Sequence, residues 1–393
     1  MRIATTPHGG GTPIEGERAR WSTEGRNGVS YSGPLDFAFI VHARDVRDIE
    51  RTYPHLRGAD EGQVFADFAR HDMHVGAPIT VEFPDRSLRG ELIGVPFMAG
   101  KTREHLKALR SALETVCHYC ERRKTRIVGL GALLPAMTDF GKTLLPHVST
   151  AGITTGHSFT AHAIAEHVRL IESLLGGPQR IAIVGAAGST GKASHLALRM
   201  DGVERPYTLI DLPEKARLLE ASLPTNSGNI TVSADLCSIQ NCSVVICVTN
   251  ASAAIIRAEH LAEGAIVIDD AQPENITVAV ARERPDVTVI KCLARVPGLR
   301  CPFDFGLFAE PPTGESQEIS FTCLAEVVAL AAHDHTGHFT VGTPTVETIA
   351  HVASLARARE IDIAPFHGFP EIGELTDLPS KLRTRQDAFL TSP

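Results

Sequence analysis

Apolar positions along the chain change rhythm several times, and each change predicts a different kind of element. The run LDFAFIVHA (35–43) reads as a strand, followed by helix-like residues over 44–57 and around EGQVFADFARH. APITVEF and RGELIGVPF alternate or cluster apolar residues like a pair of strands. In REHLKALRSALETVCHYCERRK, Leu106, Leu109, Leu113 and Val116 recur at three- and four-residue spacing, which predicts an amphipathic helix. RIVGLGALL (126–134) reads as a strand entering a glycine loop, and a further helix is expected over Thr155–Leu175, stopped by Gly176-Gly177-Pro178. Short apolar strands then follow at RIAIV, PYTLIDL, NITVSA, SVVICVT, AIVIDD and VTVIKCL, with helix-like connections between several of them. Strands of that type alternating with helices imply a mainly parallel sheet covered on both faces. After Cys301 the pattern turns helical in ISFTCLAEVVALAAH and TVETIAHVASLARAREI. Residues 1–33 lack an apolar rhythm and are expected to be a flexible arm, and 366–393 a loose tail.

Composition narrows the class without naming the chemistry. Hydrophobic residues at 43% and charged residues at 21% are ordinary for a globular chain. Lys+Arg at 38 against Asp+Glu at 46 gives a net charge of −8, which excludes a generally basic nucleic-acid binder. No apolar run is long enough to span a bilayer, and MRIATTPHGGG lacks the apolar core of an export signal. The eight scattered cysteines do not resemble a disulfide framework. The expectation is a cytoplasmic protein with reduced thiols and no integral membrane segment.

The strongest chemical signal is Gly185-Ala-Ala-Gly188-Ser189-Thr190-Gly191, directly after the strand Ile181–Val184. Glycines between a strand and a helix permit a tight turn and let backbone N–H groups approach a pyrophosphate at the helix N-terminus. Asp211 closes the next strand twenty residues after Gly191, where a carboxylate accepts from ribose hydroxyls. The candidate cofactor set is therefore Gly185, Gly188, Ser189, Thr190, Gly191 and Asp211, with Thr249 at the end of SVVICVT. The plainer alternatives are a glycine turn without a ligand and an Asp211 that caps the turn before Pro213. The fold class is α/β: an N-terminal α/β substrate domain (34–150), a linker helix and Rossmann-like domain (151–305), and a C-terminal helical segment (306–365). No Lys or Arg adjoins Asp211 in the sequence, since Lys215 and Arg217 fall in the following helix. A 2′-phosphate there meets a like charge, which favours NADH over NADPH.

The second signal is Cys323. A cap by Ser320 or Ser316 places it in the first or second helical turn, where the dipole favours a thiolate. Such a thiolate is the usual nucleophile for a thioester intermediate. The bland alternative is a small buried hydrophobe on an apolar helix face. Cys117 and Cys120 have CxxC spacing on an amphipathic helix with no second ligand pair, and His333, His335 and His338 follow a helix with no matching ligands, so no metal is expected. Cys237, Cys242 and Cys247 read as core or near-core thiols.

In their order, these motifs resemble the long-chain acyl-(acyl-carrier-protein) reductases of cyanobacteria, which reduce a carrier-bound acyl thioester to an aldehyde. The resemblance runs from about Leu35 to about Ile363. It rests on DFAFIVHA, GLGALLPAMTDF, TTGHSFTAHAIAEHV (similar to TTGNTHTAYV), VGAAGSTGKA (VGATGDIGSA), AIVIDDAQPENI, FTCLAEVVAL (FACFAEAMLL) and HTGHFTVG (HTNFSWG). It implies Cys323 as nucleophile, an acyl-enzyme, and a substrate on an acyl or peptidyl carrier protein or on coenzyme A. Thr155, His157 and Ser158 become candidate donors to the substrate carbonyl, with helix capping as their alternative role. Arg122, Arg123 and Lys124 become the candidate docking run for an acidic carrier, with a solvated helix end as the alternative. A homo-oligomer is also possible on this view. The chain departs from the family where that family, which uses NADPH, has a Thr-Ala-Arg-like strand end: here stand Asp211-Leu212-Pro213. His157 and Phe159 likewise replace an Asn and a His. These changes point to NADH and to a shorter, polar or aminoacyl group. Two other readings stand beside it: a non-covalent NAD-dependent dehydrogenase of a small alcohol, aldehyde or imine, and a catalytically inactive cofactor-binding partner subunit.

Overall fold

In the computed structural model, which describes residues 21–23, 33–99, 103–224, 228–301, 305–308, 312–372, 375 and 377–382, the chain builds two large sheets. The first begins with β1 (Trp21–Thr23) and β2 (Phe37–Ala43). Two short helices follow, α1 (Val46–Thr52) and α2 (Glu61–Phe68), capped by the carboxylates of Asp45 and Asp60 on their own first-turn N–H groups. The chain continues through the hairpin β3 (His74–Phe83) and β4 (Arg86–Met98), then α3 (Arg103–Arg122), β5 (Ile127–Leu130), the single turn α4 (Leu134–Met137) and β6 (Gly152–Thr154). The sheet order is β1-β3-β4-β2-β5-β6, antiparallel on the hairpin side and parallel from β4 through β6. The α3 stripe behaves as its spacing predicts: Leu109, Leu113 and Val116 are buried against Ile93, Val128 and Ile153. Each such side chain contributes about 1.5–3 kcal/mol on leaving water. Trp21–Thr23 lie within the stretch expected to be a flexible arm, yet they pair with His74–Gly76 at the sheet edge.

Helix α5 (His157–Leu175) leads from the first sheet into the second and ends at Gly176, whose φ of 82° is the left-handed cap that a glycine permits. The second sheet is assembled from β7 (Ile181–Val184), α6 (Ser189–Arg199), β8 (Tyr207–Ile210), α7 (Pro213–Ser222), β9 (Ile230–Ser233), β10 (Val244–Cys247), β11 (Ile266–Asp269), α8 (Val278–Glu283) and β12 (Thr288–Lys291). All six strands are parallel in the order β12-β11-β10-β7-β8-β9, and β7, β8, β10 and β11 are buried throughout. This is the expected α/β, Rossmann-like arrangement. The strand order reverses between β7 and β10, which opens a crevice beyond their C-terminal ends.

The rest of the chain ties the sheets together. β13 (Leu293–Arg295) leads to β14 (Leu299–Arg300), which pairs with β3 of the first sheet. β15 (Ile319–Phe321) runs into α9 (Thr322–Ala332), followed by α10 (Val346–Arg357) and β16 (Asp362–Ile363), with β15, β13 and β16 forming a small sheet. From Leu324 to Ala332, α9 is buried on every side, and it packs against α5, α10 and β5. Gly129 on β5 makes this approach possible, since a Cβ there would stand 2.1 Å from a methyl of Val327. Part of the stretch expected to be a loose tail is also packed: Phe369, Leu378 and Leu382 are buried, with helical backbone over 378–382. Apolar side chains spaced this sparsely carry no periodic signal. Among the described residues, no helix is long and apolar enough to cross a membrane.

Candidate active site

One end of the crevice is backbone. Gly185 has a φ of +91°, and a Cβ on it would stand 2.8 Å from the Val248 carbonyl oxygen. A Cβ on Gly191 would stand 2.2 Å from the Gly185 oxygen, so the turn closes only with hydrogen at both positions. Gly188 is the N-cap of α6 and no side chain caps that helix, which leaves its first-turn N–H groups for a ligand. Thr190 lines the crevice. The Ser189 hydroxyl is turned elsewhere, 3.0 Å from His157 Nδ1 and 3.3 Å from the Gly342 carbonyl oxygen. Asp211 Oδ2 accepts from the Ala187 N–H at 2.8 Å and Oδ1 from the Leu212 N–H at 2.8 Å, so the carboxylate braces the glycine turn. The expectation that no cation stands beside it is corrected. One helical turn brings Lys215 Nζ to 3.9 Å from Asp211 Oδ1. Thr249 lines the crevice, and its hydroxyl donates to Asn275 Oδ1 at 2.8 Å.

The other end is side chain. Cys323 is the second residue of α9, in the first turn as its spacing predicts, but neither serine caps the helix. Ser320 lies in β15, and Ser316 closes its own turn with Thr313, while the N-cap position belongs to Phe321 with no side-chain bond. The thiolate expected from the helix dipole is corrected too. Enclosure by protein and the neighbouring Asp270 charge push the Cys323 thiol well up, outweighing the pull of the Cys323 and Leu324 N–H groups. At rest Cys323 is a thiol.

The loop before α5 lies directly on this cysteine. Gly156 has a φ of +80°, and a Cβ there would stand 2.3 Å from the Cys323 Cβ. Glu326, one turn further along α9, locks the loop by accepting from the Thr154 hydroxyl and from the Phe159 N–H at 2.8 Å. Thr155 and His157 line the crevice, and the buried Thr155 hydroxyl has no partner among the described residues. Burial holds His157 neutral, its pKa lowered to about 4. Ser158 is corrected: its hydroxyl is buried against Thr340 and Thr348, at 2.8 and 3.0 Å, away from the crevice. None of the three caps α5, whose N-cap is Gly156.

Asp270, immediately after β11, faces the same crevice and escaped the sequence reading. It is open to the cleft on one side, and Thr322 Oγ1 lies 3.4 Å from its Oδ1. Thr322 is held in turn by Thr160 at 2.7 Å. Desolvation first and the Asp269 charge second push the Asp270 carboxyl up to about 8, and the Cys292 thiol bonds to it. Asp269 is committed elsewhere, to the Ala271 and Asn275 N–H groups and to Lys291 Nζ at 3.5 Å. The available signal was the Asp-Asp doublet at a strand's C-terminal end, where α/β sheets place their chemistry.

Cys323 also opens into a second space. An apolar cavity of about 110 Å³, walled by Phe39, Ile49, Phe68, Leu92 and Phe321, reaches the cysteine from the first sheet. Arg44 stands at its rim, bonded to Asp48 at 2.8 Å, to Gln272 Oε1 at 3.1 Å and to the Phe305 carbonyl at 2.6 Å.

The remaining candidates have structural surroundings. Cys117 and Cys120 are buried, and burial pushes the Cys117 thiol up to about 12. His338 Nδ1 accepts from the Ile153 N–H and His333 Nδ1 bonds the Ala329 carbonyl, and no metal-binding cluster occurs among the described residues. Cys242 and Cys247 are core thiols, whereas Cys237 is exposed on a 3-10 turn, contrary to expectation. Within the run Arg122–Lys124, Arg123 is spent on the buried Glu91 at 2.8 Å and on the Tyr119 hydroxyl, which weakens the run as a docking patch.

No family model and no curated protein matches this chain. Among solved structures, it is similar to the malic enzyme of Entamoeba histolytica at 14% identity, covering 91% of this chain and 82% of that one, with a TM-score of 0.38. The NAD-dependent malic enzyme of Thermotoga maritima gives 12% identity, 88% and 82% coverage and a TM-score of 0.40. The cyclopropanase of curacin A biosynthesis gives 19% identity and a TM-score of 0.22, and only 36% of its length is spanned by a match to 29% of this chain. Likenesses this distant leave the function to the chemistry of the site.

Proposed function

We propose that this chain is a nicotinamide-dependent reductase that takes an acyl group from a thioester onto Cys323 and releases it as an aldehyde. One observation carries the reading: Cys323 stands where an apolar cavity meets the crevice under the glycine turn. The resemblance to the acyl-carrier reductases supports the same assignment.

The glycine turn suits a dinucleotide because hydrogen at Gly185 and Gly191 lets the backbone close tightly beneath the uncapped N-terminus of α6, where a pyrophosphate could approach first-turn N–H groups. Gly185, Gly188, Thr190 and Gly191 would hold the phosphates, and Asp211 and Thr249 would flank the ribose and nicotinamide portions. A reduced nicotinamide supplies a hydride. For the sugar, Asp211 favours NADH, because a 2′-phosphate adds about two negative charges next to a carboxylate with 7% exposure. Lys215 at 3.9 Å, with 55% exposure, offsets only part of this.

In the acyl-transfer half, the apolar cavity seats the acyl chain and the Cys323 sulfur attacks the thioester carbon. The Thr155 hydroxyl, which has no partner among the described residues, and the neutral His157 would be the donors to the developing oxygen charge. The carrier thiol leaves and the acyl group remains on Cys323. The test omits cofactor: incubation with hexanoyl-coenzyme A should add one hexanoyl mass at Cys323, and NADH should then discharge it as hexanal. Hexanal formation with no trapped adduct would assign the site to non-covalent dehydrogenase chemistry instead. The same assay with a carrier-bound thioester decides the delivery form.

A further inference from the structure

We infer that Asp270 accepts the Cys323 proton during acylation and returns it to the departing thiol. This deepens the acyl-enzyme reading and rests on it. A nucleophile that is a thiol at rest needs a proton acceptor within the closed site. Among the described residues, the charged and titratable groups around Cys323 other than Asp270 are committed elsewhere: His42 bonds the Ala43 carbonyl and accepts from the Leu133 N–H, and Arg44 and Asp48 pair with each other. Asp269 is occupied by two backbone N–H groups and by Lys291. Glu326 is occupied by Thr154 and the Phe159 N–H. His157 is bonded through Nδ1 to Ser189, and its burial opposes protonation. Cys292, just beyond β12, is a fully enclosed thiol that bonds to Asp270 itself.

Asp270 shares the crevice lining with Cys323 and is aligned by the preceding residue on α9, since Thr322 Oγ1 is 3.4 Å from Asp270 Oδ1. The Thr160–Thr322 bond at 2.7 Å holds that hydroxyl in place. The proton balance closes without an outside reagent. The S–C bond to Cys323 forms, the S–C bond to the carrier breaks, and the proton passes from Cys323 Sγ through Asp270 to the carrier sulfur. No electron changes hands in this half-reaction.

The measurement is single-turnover acylation of the full chain by hexanoyl-coenzyme A without cofactor, followed by intact mass between pH 6 and 10. The wild-type rate should rise through one ionisation near pH 8, because Asp270 accepts a proton only when ionised. Asp270→Asn discriminates by sign. A neighbour that only repels the thiolate predicts faster acylation once its charge is gone, whereas a proton acceptor predicts about 100-fold slower acylation at pH 8.5. Asp270→Glu should recover part of the rate. An Asn variant that acylates as fast as wild type, or faster, overturns the inference while leaving the acyl-enzyme intact. A wild-type rate that climbs without a plateau to pH 10 does the same and needs no variant to fold. Failure of wild type to form an adduct at any pH overturns both readings.

Discussion

The two ends of the crevice are made in different ways. The glycine-turn end comes from one contiguous stretch, Val184 to Gly191, braced by a carboxylate 24 positions after the Ala187 N–H that it accepts from, and the groups it presents are backbone N–H groups. The thiol end draws on the 154–159 loop, the end of β11, Cys292 and the start of α9, and its key bonds join residues 167 and 172 positions apart. Their carboxylates differ accordingly. Asp211 is fixed by two backbone donors and serves as a strut. Asp270 has only a distant hydroxyl and a thiol beside it, so desolvation dominates and its carboxyl is pushed up to about 8. A backbone site is positioned by glycine placement, whereas a side-chain site depends on which elements the fold brings together.

If that division is real, damage to one end should spare the other. The largest effect belongs to Cys323→Ala, which should lower aldehyde formation by more than about 10³-fold while cofactor binding, read by fluorescence titration, stays unchanged. Gly191→Ala and Gly156→Ala form the sharper pair. The first places a Cβ 2.2 Å from the Gly185 oxygen, and it should weaken cofactor binding about 100-fold yet still allow the adduct on Cys323. The second forces a Cβ to 2.3 Å from Cys323 at a φ of +80°, and it should suppress the adduct by a similar factor with the cofactor still bound. Loss of both functions in either variant would mean that the two ends are one cooperative unit.

Asp211→Ser should shift the ratio of kcat/KM for NADH over NADPH by about tenfold toward NADPH, and a wild-type enzyme that already prefers NADPH would show Lys215 to dominate. A separate effect falls on stability. The Asp270 carboxyl is raised from 3.8, so the folded state holds its proton longer than the unfolded chain. The stabilisation this provides is full below about pH 4 and is lost progressively as pH rises to about 8. The Asn variant does not titrate, so its stability relative to wild type should grow by about 3–4 kcal/mol between pH 5 and pH 8 and level off above pH 8. Urea melts across that range check it.

Much of the architecture was legible in the residues. Period-3.6 spacing located α3, and Gly176 marked the end of α5. Short, mainly apolar runs bounded by turns located all six strands of the parallel sheet. What went astray depended on partners distant in the chain. The serines near Cys323 suit an N-cap by composition, but β15 consumes Ser320 and a local turn consumes Ser316. Ser158 looked equivalent to Thr155 and His157 until α10 placed Thr348 beside it. Lys215 lay outside the expected surroundings of Asp211 because separation was counted along the chain, whereas four residues of helix return to the same face.

By itself, then, the sequence determined the elements, the parallel sheet and the glycine turn, because hydrophobic period and glycine freedom are local properties carried by neighbouring residues. Only the tertiary structure decided that Cys323 rests as a thiol, that an apolar cavity reaches it from the first sheet, and that Asp270 faces it. Desolvation and Coulomb interaction depend on distance through space, and that distance exists only after the two sheets have closed around α9.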